Sequence, residues 1–411
     1  MLLMLAFTAC SSDNDESADA PRFYNVTLTA SMGDAETRAL SEGTGNVITA
    51  TFAENDVVVV VKANGTSVGT LRAESGGTST TTLSGTISGT FTENEVLTLR
   101  YRSATANYDG QLGTLAGIAA NQDYEEGTLT VTSTDPLTFN SNSVTLTAKQ
   151  SITKFTFTDG TNAINVKDFR IIAAGLVQSI ATNGAETLGT VTGTLTAASS
   201  DAYVALRNNS GDKKTYTFIV KDNAGNWHVG TKNAKLTNGK NYTATVALNS
   251  TLTSSSAVGT IGVVGGLPAI VISNTTAVAL MNAGAIWPED YGEYYTFENR
   301  ASGLTNSWYV PTQAELTSLK NTYSNWTTQN GVNGRTFTIG SNSLFLPAAG
   351  LDDTDNDPSD FYNVSTFGYY WSSDDPGEGL PICLSFSSEV VNIISGYKTD
   401  ALSVRPFHAL N

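Results

Sequence analysis

The sequence predicts a mainly β protein in which two consecutive β-sandwiches precede an α+β module. Three observations predict this class. Short runs of alternating apolar and polar residues recur between turn residues from Phe23 onward, only 15% of the 411 residues are charged, and the alternation fades beyond Asn249. Alternation with a period of two is typical of half-buried strands, and a low charge content is typical of extended β structure.

The first ten residues, MLLMLAFTAC, predict a secretory signal peptide. The apolar run Met1 to Ala9 has the length of a signal h-region, and the polar residues 11–22 after it form a predicted tether because they have nothing to bury. A frayed apolar N-terminus is the alternative. The segment Phe7 to Cys10 resembles a bacterial lipobox, and the acidic stretch after it resembles the surface-export signal of Bacteroidetes lipoproteins. The resemblance implies a lipid on Cys10 and membrane attachment by that lipid alone.

The charge balance makes nucleic acid an unlikely class of partner. Asp and Glu number 38 against 22 Lys and Arg, a net charge of -16, whereas phosphate binding needs a basic surface. Cys383 would have no partner if Cys10 is lipidated, so the fold is expected to form without a disulfide.

Strand and turn signals divide the chain. In the first predicted strand Tyr24, Val26, Leu28 and Ala30 share one face, and the β-branched run Asp56 to Lys62 is typical of a strand buried on both faces. Later strands at regular spacing predict a first sandwich over residues 23–149 and a second over 150–249.

A third module begins beyond the predicted linker 250–256 and spans residues 257–411. Thr312 and Glu315 form a capping-box pattern for a helix that would carry Leu316, Leu319 and Tyr323 on one face. A shorter helix is predicted for Thr276 to Asn282.

Residues 23–249 resemble the fimbrillin, or Mfa-like, proteins of Bacteroidetes type V pili. The motifs that carry the resemblance are Glu36 to Ala39 (ETRA), Phe52 to Val60, Tyr108 to Leu115 and Leu236 to Val246. The resemblance implies transthyretin-like sandwiches, cleavage between Arg38 and Ala39 by an Arg-specific protease, loss of the first strand, and its replacement by a donor strand from a neighbouring subunit. An ordinary arginine in an exposed loop is the alternative for Arg38.

Residues 257–407 resemble the Fibrobacter succinogenes major paralogous domain and the related domain that ends Legionella collagen-like protein. The motifs that carry this resemblance are Ala279 to Tyr295, Trp308 to Leu319, Leu344 to Gly350, Gly368 to Ser373 and Ser403 to Phe407. It implies a C-type-lectin-like fold, usually appended to surface and adhesion proteins.

Together the two resemblances imply a pilus tip adhesin, exported to the outer membrane and cell surface, whose last module binds a surface glycan or protein. Two alternatives remain: a monomeric, permanently anchored glycan-binding lipoprotein, and a last module that only caps the filament.

No enzyme is expected. Gly65 to Gly69 matches the GxSxG pattern, but Ser67 follows an Asn-Gly hairpin and leads into a strand, whereas a nucleophile elbow leads into a helix. His228 and His408 have no ligand residue at metal spacing, and Cys383 lies among apolar strand residues, which favours a buried, inert thiol.

Acidic and aromatic residues in the third module form a candidate binding face. Asp353, Asp355 and Asp357 repeat the start of an EF-hand loop, but Pro358 stands at the glycine position, so no EF-hand is expected. Calcium in a lectin-like loop and a solvated acidic loop both remain open; no cofactor is expected. The predicted ligand-binding residues are Asp353, Asp355, Asp357, Tyr369, Trp371, Asp374 and Asp375. The alternative to ligand binding for Trp371 is a role in the core.

Overall fold

The structure is a computed structural model that describes residues 22–33, 41–42, 48–49, 51–353, 361–377 and 379–411. It is mainly β, as predicted. Cys10, Arg38, Ala39, Asp355 and Asp357 lie outside the described residues, so the predictions on them stay predictions.

The first third of the described chain contains eleven strands and one helix. They are β1 (Phe23–Met32), β2 (Ser41–Glu42), β3 (Ile48–Thr49), β4 (Val57–Lys62), β5 (Ser67–Ala73), β6 (Thr80–Ser88), β7 (Val96–Tyr101), β8 (Ala106–Asn107), α1 (Leu115–Asn121), β9 (Glu125–Thr134), β10 (Leu137–Phe139) and β11 (Ser143–Ala148).

The first unit is built from β1, β4 to β7 and β9 to β11. Its sheet follows the order β10-β9-β11-β1-β6-β5-β4-β7, and β7 also pairs with β9, so the sheet closes on itself. Strand β9 closes it because it is long enough to pair with β11 at Glu125 and Glu126 and with β7 from Glu126 to Thr130. Closure gives the end strand β7 a second hydrogen-bonding partner beside β4.

The core of the first unit is formed by the inward side chains of these strands, among them Leu71, Leu83 and Leu99. The β-branched strand β4 differs from its prediction: Val58, Val60 and Val61 are buried, but Val57 and Val59 are only half-buried. The reason is that part of β4 faces the outside of the closed sheet.

The second unit is a sandwich of two sheets, ordered β15-β14-β17-β12-β20 and β16-β13-β18-β19. Its strands are β12 (Ser151–Thr158), β13 (Val166–Ile172), β14 (Leu176–Ile180), β15 (Glu186–Leu188), β16 (Val191–Ser199), β17 (Asp201–Asn208), β18 (Lys214–Asp222), β19 (Trp227–Ala234) and β20 (Asn241–Ala247). Both sheets share one apolar core, which Tyr108, Ile118 and Tyr124 also enter from the segment that precedes β9. Strand β8 pairs with β14.

The third unit contains fifteen strands, one α-helix and a short 3-10 helix. They are β21 (Ile261–Val264), β22 (Leu267–Ser273), β23 (Thr276–Ala279), β24 (Tyr295–Thr296), the 3-10 helix Phe297–Asn299, β25 (Trp308–Tyr309), α2 (Gln313–Lys320), β26 (Ser324–Gln329), β27 (Val332–Ile339), β28 (Asn342–Pro347), β29 (Leu351–Asp353), β30 (Phe361–Tyr362), β31 (Gly368–Trp371), β32 (Ile382–Phe386), β33 (Val391–Ser395), β34 (Asp400–Leu402) and β35 (Phe407–Ala409). The central sheet has the order β21-β22-β23-β35-β25.

The helix predicted from the capping box is present, whereas the shorter predicted helix is wrong. Thr312 and Glu315 form the reciprocal capping bonds of α2, and Leu316 and Leu319 are buried. The helix ends at Lys320, so Tyr323 lies beyond it and is exposed. Residues Thr276–Ala279 form β23 because they pair with β22 on one side and β35 on the other.

The second and third units pack against each other through apolar and charged contacts. Ile219 and Val229 of the sandwich belong to the same buried cluster as Ile261 and Ile270 of the third unit. The segment predicted as a linker is part of this contact, because the Ser250 N–H donates to the carbonyl oxygen of Val229 in the sandwich at 2.9 Å and the Ser250 carbonyl oxygen accepts from the Val263 N–H of the third unit at 2.8 Å.

A buried ion pair crosses the same junction. Arg170 donates to Glu289 at 2.7 Å and forms a second contact with the other carboxylate oxygen at 2.5 Å. The guanidinium lies 5.0 Å from the ring of Trp287, which packs edge to face against Trp227. These contacts fix the third unit against the sandwich.

Candidate functional site

The alternation from Phe23 predicts a half-buried strand, and this strand, β1, lies in the middle of the closed sheet. It pairs antiparallel with β6 at nine positions, from Phe23 opposite Ser88 to Ser31 opposite Thr80. On its other side it pairs parallel with β11 at four positions, from Thr29 to Met32. Removing β1 would therefore expose two strand edges that face each other.

The inward face of β1 supplies side chains to the core. Val26, Leu28, Ala30 and Met32 are buried, and Tyr24 packs edge to face on Phe91 with ring centroids 5.6 Å apart. Full burial of each large apolar side chain contributes roughly 1.5–3 kcal/mol. The contribution of Val26, Leu28 and Met32 together is thus comparable with the whole stability of a domain, about 5–15 kcal/mol.

The outward face of β1 is polar. Asn25, Thr27 and Thr29 are exposed, and the Asn25 side chain accepts a hydrogen bond from Thr86 at 3.0 Å. Gly33, which follows β1, donates to the carbonyl oxygen of Leu146 at 2.7 Å. Arg38 and Ala39, the predicted cleavage site, follow a few residues later in the sequence but lie outside the described residues.

Trp371 of the predicted binding face is a core residue, which was its alternative interpretation. It is fully buried in β31, its indole Nε1 donates to the carbonyl oxygen of Tyr295 at 2.6 Å, and its ring packs edge to face on Phe297. A buried ring cannot present its face to a sugar, so Trp371 is excluded as a stacking residue. Tyr369, two residues earlier, is half-buried and stacks on Phe367 with centroids 5.9 Å apart.

Asp374 and Asp375 follow β31 and both have protein partners. The Asp374 carboxylate accepts a hydrogen bond from the backbone N–H of Gln313, the first residue of α2. Asp375 pairs with Lys398 at 2.7 Å, and this hydrogen bond, with another from the Gly377 N–H, lowers the pKa of Asp375. Both carboxylates are therefore already engaged in holding the loop after β31.

Asp353 ends β29, which lies alongside β31 because Gly350 and Gly368 form a parallel bridge at the start of the two strands. Burial raises the pKa of the neighbouring Asp352, and the charge of Asp353 adds to the effect. Within the described part of the chain, which excludes Asp355 and Asp357, no group of three His, Cys, Asp or Glu side chains could hold a metal ion. The calcium prediction thus stays untested.

The remaining candidate residues have structural positions in the fold. Cys383 is buried, which raises the pKa of its thiol to about 12. Partial burial opposes the ionisation of Asp222, but hydrogen bonds from His228 and Asn226 hold the pKa of Asp222 at about 2. His408 packs edge to face on Trp308, with centroids 5.0 Å apart. Ser67 is the first residue of β5, as the hairpin predicts.

Arg405 of the SVRPF motif is a structural residue that the sequence pattern alone did not explain. Its guanidinium is fully buried and donates to the carbonyl oxygens of Ala279 at 3.2 Å and Phe345 at 3.1 Å. Burial lowers the pKa of Arg405 to about 10. Its role is to join the central sheet to β28.

No helix in the described ranges combines the length and the apolar character that crossing a membrane requires.

Several solved structures that are similar to about half of this chain are fimbrial or candidate cell-adhesion proteins from Bacteroides, Parabacteroides and Porphyromonas species. They include a candidate cell-adhesion protein from Bacteroides uniformis, with 14% identity and a TM-score of 0.31 over 54% of this chain and 93% of that chain. The tip fimbrial protein Mfa3 from Porphyromonas gingivalis, truncated at its C-terminus, has 10% identity and a TM-score of 0.28 over 53% and 92%. A fimbrial assembly protein from Parabacteroides distasonis has 11% identity and a TM-score of 0.27 over 55% and 92%.

No family model matches the sequence, and no curated protein matches it significantly. At these identities and TM-scores the similarity by itself assigns no function to this chain.

Proposed function

We propose that the chain is a pilus subunit that loses β1 by cleavage between Arg38 and Ala39 and then accepts a strand from a neighbouring subunit. The observation that carries the proposal is the position of β1. It lies between β6 and β11, with its apolar side chains in the core, and the chain reaches Arg38 six residues after its end at Met32.

The geometry defines the donor strand. The backbone of β6 and β11 would supply the hydrogen bonds, and the sites left by Val26, Leu28, Ala30 and Met32 would receive apolar side chains at alternate positions. Main-chain bonds give such a strand affinity, and the pockets for alternate side chains give it register.

The same proposal includes a tip position, a lipid on Cys10 during export to the outer membrane and cell surface, and no enzymatic activity. A tip subunit accepts a strand without donating one. Strand β35 lies between β23 and β25 in the central sheet of the third unit, so this strand is not free for donation. The third unit, with the proposed C-type-lectin-like layout, would be the head that binds a surface glycan or protein.

The N-terminus of the native protein, determined by mass spectrometry on material from the cell surface, tests the cleavage. A chain that starts at Ala39 supports the proposal. A chain that starts at lipidated Cys10 overturns it and favours the anchored monomeric glycan-binding lipoprotein.

Strand exchange is tested with a protein that begins at Ala39. A synthetic peptide of residues 22–33 should bind it and raise its melting temperature. A peptide with Val26→Asp and Leu28→Asp is the matched control, since it keeps the backbone but places charge in the core. The gap between β6 and β11 that β1 leaves is called the groove. Equal binding and an equal rise in melting temperature with the two peptides would refute the proposal that this groove accepts a donor strand. Self-assembly of the truncated protein into ladders would refute the tip position.

A further inference from the structure

A large cleft lies at the junction of the second and third units. Its volume is about 1030 Å³, and it is lined by residues of β13, β18 and β19 on one side and by residues 257–261 with β27 and β28 on the other. Clefts of this size between domains are typical places for ligands.

The charge of the cleft is opposite to that of the protein. The chain carries a net charge of -16, but the basic residues Arg170, Lys213 and Lys214 line the cleft, and none of the described lining residues is acidic. Glu289 neutralises Arg170. Lys213 is exposed and Lys214 half-buried, and neither forms an ion pair with any residue that the structure describes. Two uncompensated positive charges therefore face this space.

The other polar groups of the cleft are mainly hydroxyls. Ten Ser and Thr residues line it, together with the amides of Gln329 and Asn342. Phe345 is its only aromatic lining residue among those described, and it is buried. Hydroxyls both donate and accept, so the walls match a ligand that has many hydroxyl groups, while the missing aromatic faces exclude ring stacking as the main contact.

Arg170 lines the cleft, but its charge is paired inside the protein. Its side chain is 5% exposed, and its terminal nitrogens are held by Glu289. Its Nε is buried and has no hydrogen-bond acceptor among the described residues. This nitrogen has almost no accessible surface, so the lysines and the hydroxyl groups supply the polar contacts that a ligand in the cleft could make.

We propose that this cleft binds a short acidic oligosaccharide, carboxylated or sulfated, with Lys213 and Lys214 at its anionic groups and the Ser and Thr hydroxyls at its sugar hydroxyls. This site differs from the aspartate and tyrosine face predicted from the sequence. It goes beyond the proposed pilus role and does not depend on it, since the strand groove lies in the first unit.

Calorimetric titration of the full chain tests the site with three probes of equal length: a uronate oligosaccharide, a sulfated oligosaccharide and a neutral oligosaccharide. At least one acidic probe should bind in a salt-dependent way, and the neutral probe should bind at least about tenfold more weakly. Which acidic probe binds better identifies the anionic group.

Two sets of variants locate the binding. The double variant Lys213→Ala and Lys214→Ala should weaken binding about tenfold or more, and Thr338→Val, which removes a lining hydroxyl without changing charge, should weaken it severalfold. The control is Lys235→Ala with Lys240→Ala, which removes the same charge from exposed sites of the same unit outside the cleft.

Three outcomes would overturn the proposal: no heat with any probe, equal affinity for the acidic and neutral probes, or equal weakening by the cleft and control variants. The last would show attraction to the general charge of the unit instead of a site. A protein with an intact N-terminus is sufficient, so failure here leaves the strand-exchange test unaffected.

Discussion

Retention of β1 after cleavage should depend on its inward side chains. In a chain whose residues Glu36–Ala39 are replaced by the site of a sequence-specific protease, cutting leaves β1 held only by non-covalent contacts. Leu28 is 4% exposed in the core of the first unit, and Leu→Ala changes at such sites cost about 2–5 kcal/mol. Because each 1.4 kcal/mol is a factor of about ten, Leu28→Ala should speed release of the strand by roughly 30-fold to several thousand-fold.

Release of the strand is measured as the loss from the protein of a fluorophore attached at the N-terminal end of the cut segment. Excess unlabelled peptide is present to prevent rebinding. Thr27→Ala is the matched control, because Thr27 is the exposed neighbour on the same strand and surface changes usually alter stability by less than about 0.5 kcal/mol. Release rates of the Leu28→Ala and Thr27→Ala proteins that agree within about threefold would refute the reasoning that core contacts retain the strand.

Three further predictions concern side chains outside the groove. Glu289→Gln should destabilise the protein by about 3–5 kcal/mol in urea unfolding, because it leaves the buried charge of Arg170 without a partner. The double variant with Arg170→Met should recover most of that loss, since it removes this charge; additive losses of stability in the double variant would contradict the prediction. Cys383 should react with a thiol reagent only after unfolding, since burial raises its pKa to about 12; rapid labelling of the native protein would contradict it. The pKa of Asp222 is lowered from 3.8 to about 2, so the charged form of Asp222 stabilises the fold above about pH 4. This contribution is lost as the pH falls through about 2. The melting-temperature difference between wild type and Asp222→Asn should therefore shrink between about pH 4 and pH 2.

Local sequence patterns predicted the elements whose characteristic side chains recur at a fixed spacing in the sequence. The period of two from Phe23 predicts β1 and its buried face, and the pair Thr312 and Glu315 predicts the start of α2. The run from Thr276 to Asn282 wrongly predicts a helix, because a short apolar run fits either structure until its neighbours are known. Residues Thr276–Ala279 form a strand because they pair with β22 and β35. Strand β35 lies about 130 residues away in the sequence.

Long-range features had no local signal. The closure of the first sheet by β9, the packing of Tyr108 and Tyr124 into the second core, and the pair of Arg170 with Glu289 all join distant parts of the chain. The acidic pattern of the third unit is visible in the sequence. The sequence does not show that the Gln313 N–H donates to Asp374 and that Lys398 forms an ion pair with Asp375. Side-chain type predicts which chemistry is present, whereas the partners depend on the fold.

The two walls of the proposed groove should respond differently to the loss of β1. Strand β6 keeps its five paired positions with β5, but β11 pairs with β9 only at Thr147 and Ala148. Without β1, most of the β11 backbone has no strand partner, so hydrogen exchange at its amides should approach that of an open loop, while exchange at β6 stays slow along its pairing with β5. Adding the peptide of residues 22–33 should restore protection of β11, and the peptide with Asp at positions 26 and 28 should not. If β11 stays as protected as β6 in the protein that begins at Ala39, the groove has closed without a donor, and strand exchange in this form would be wrong.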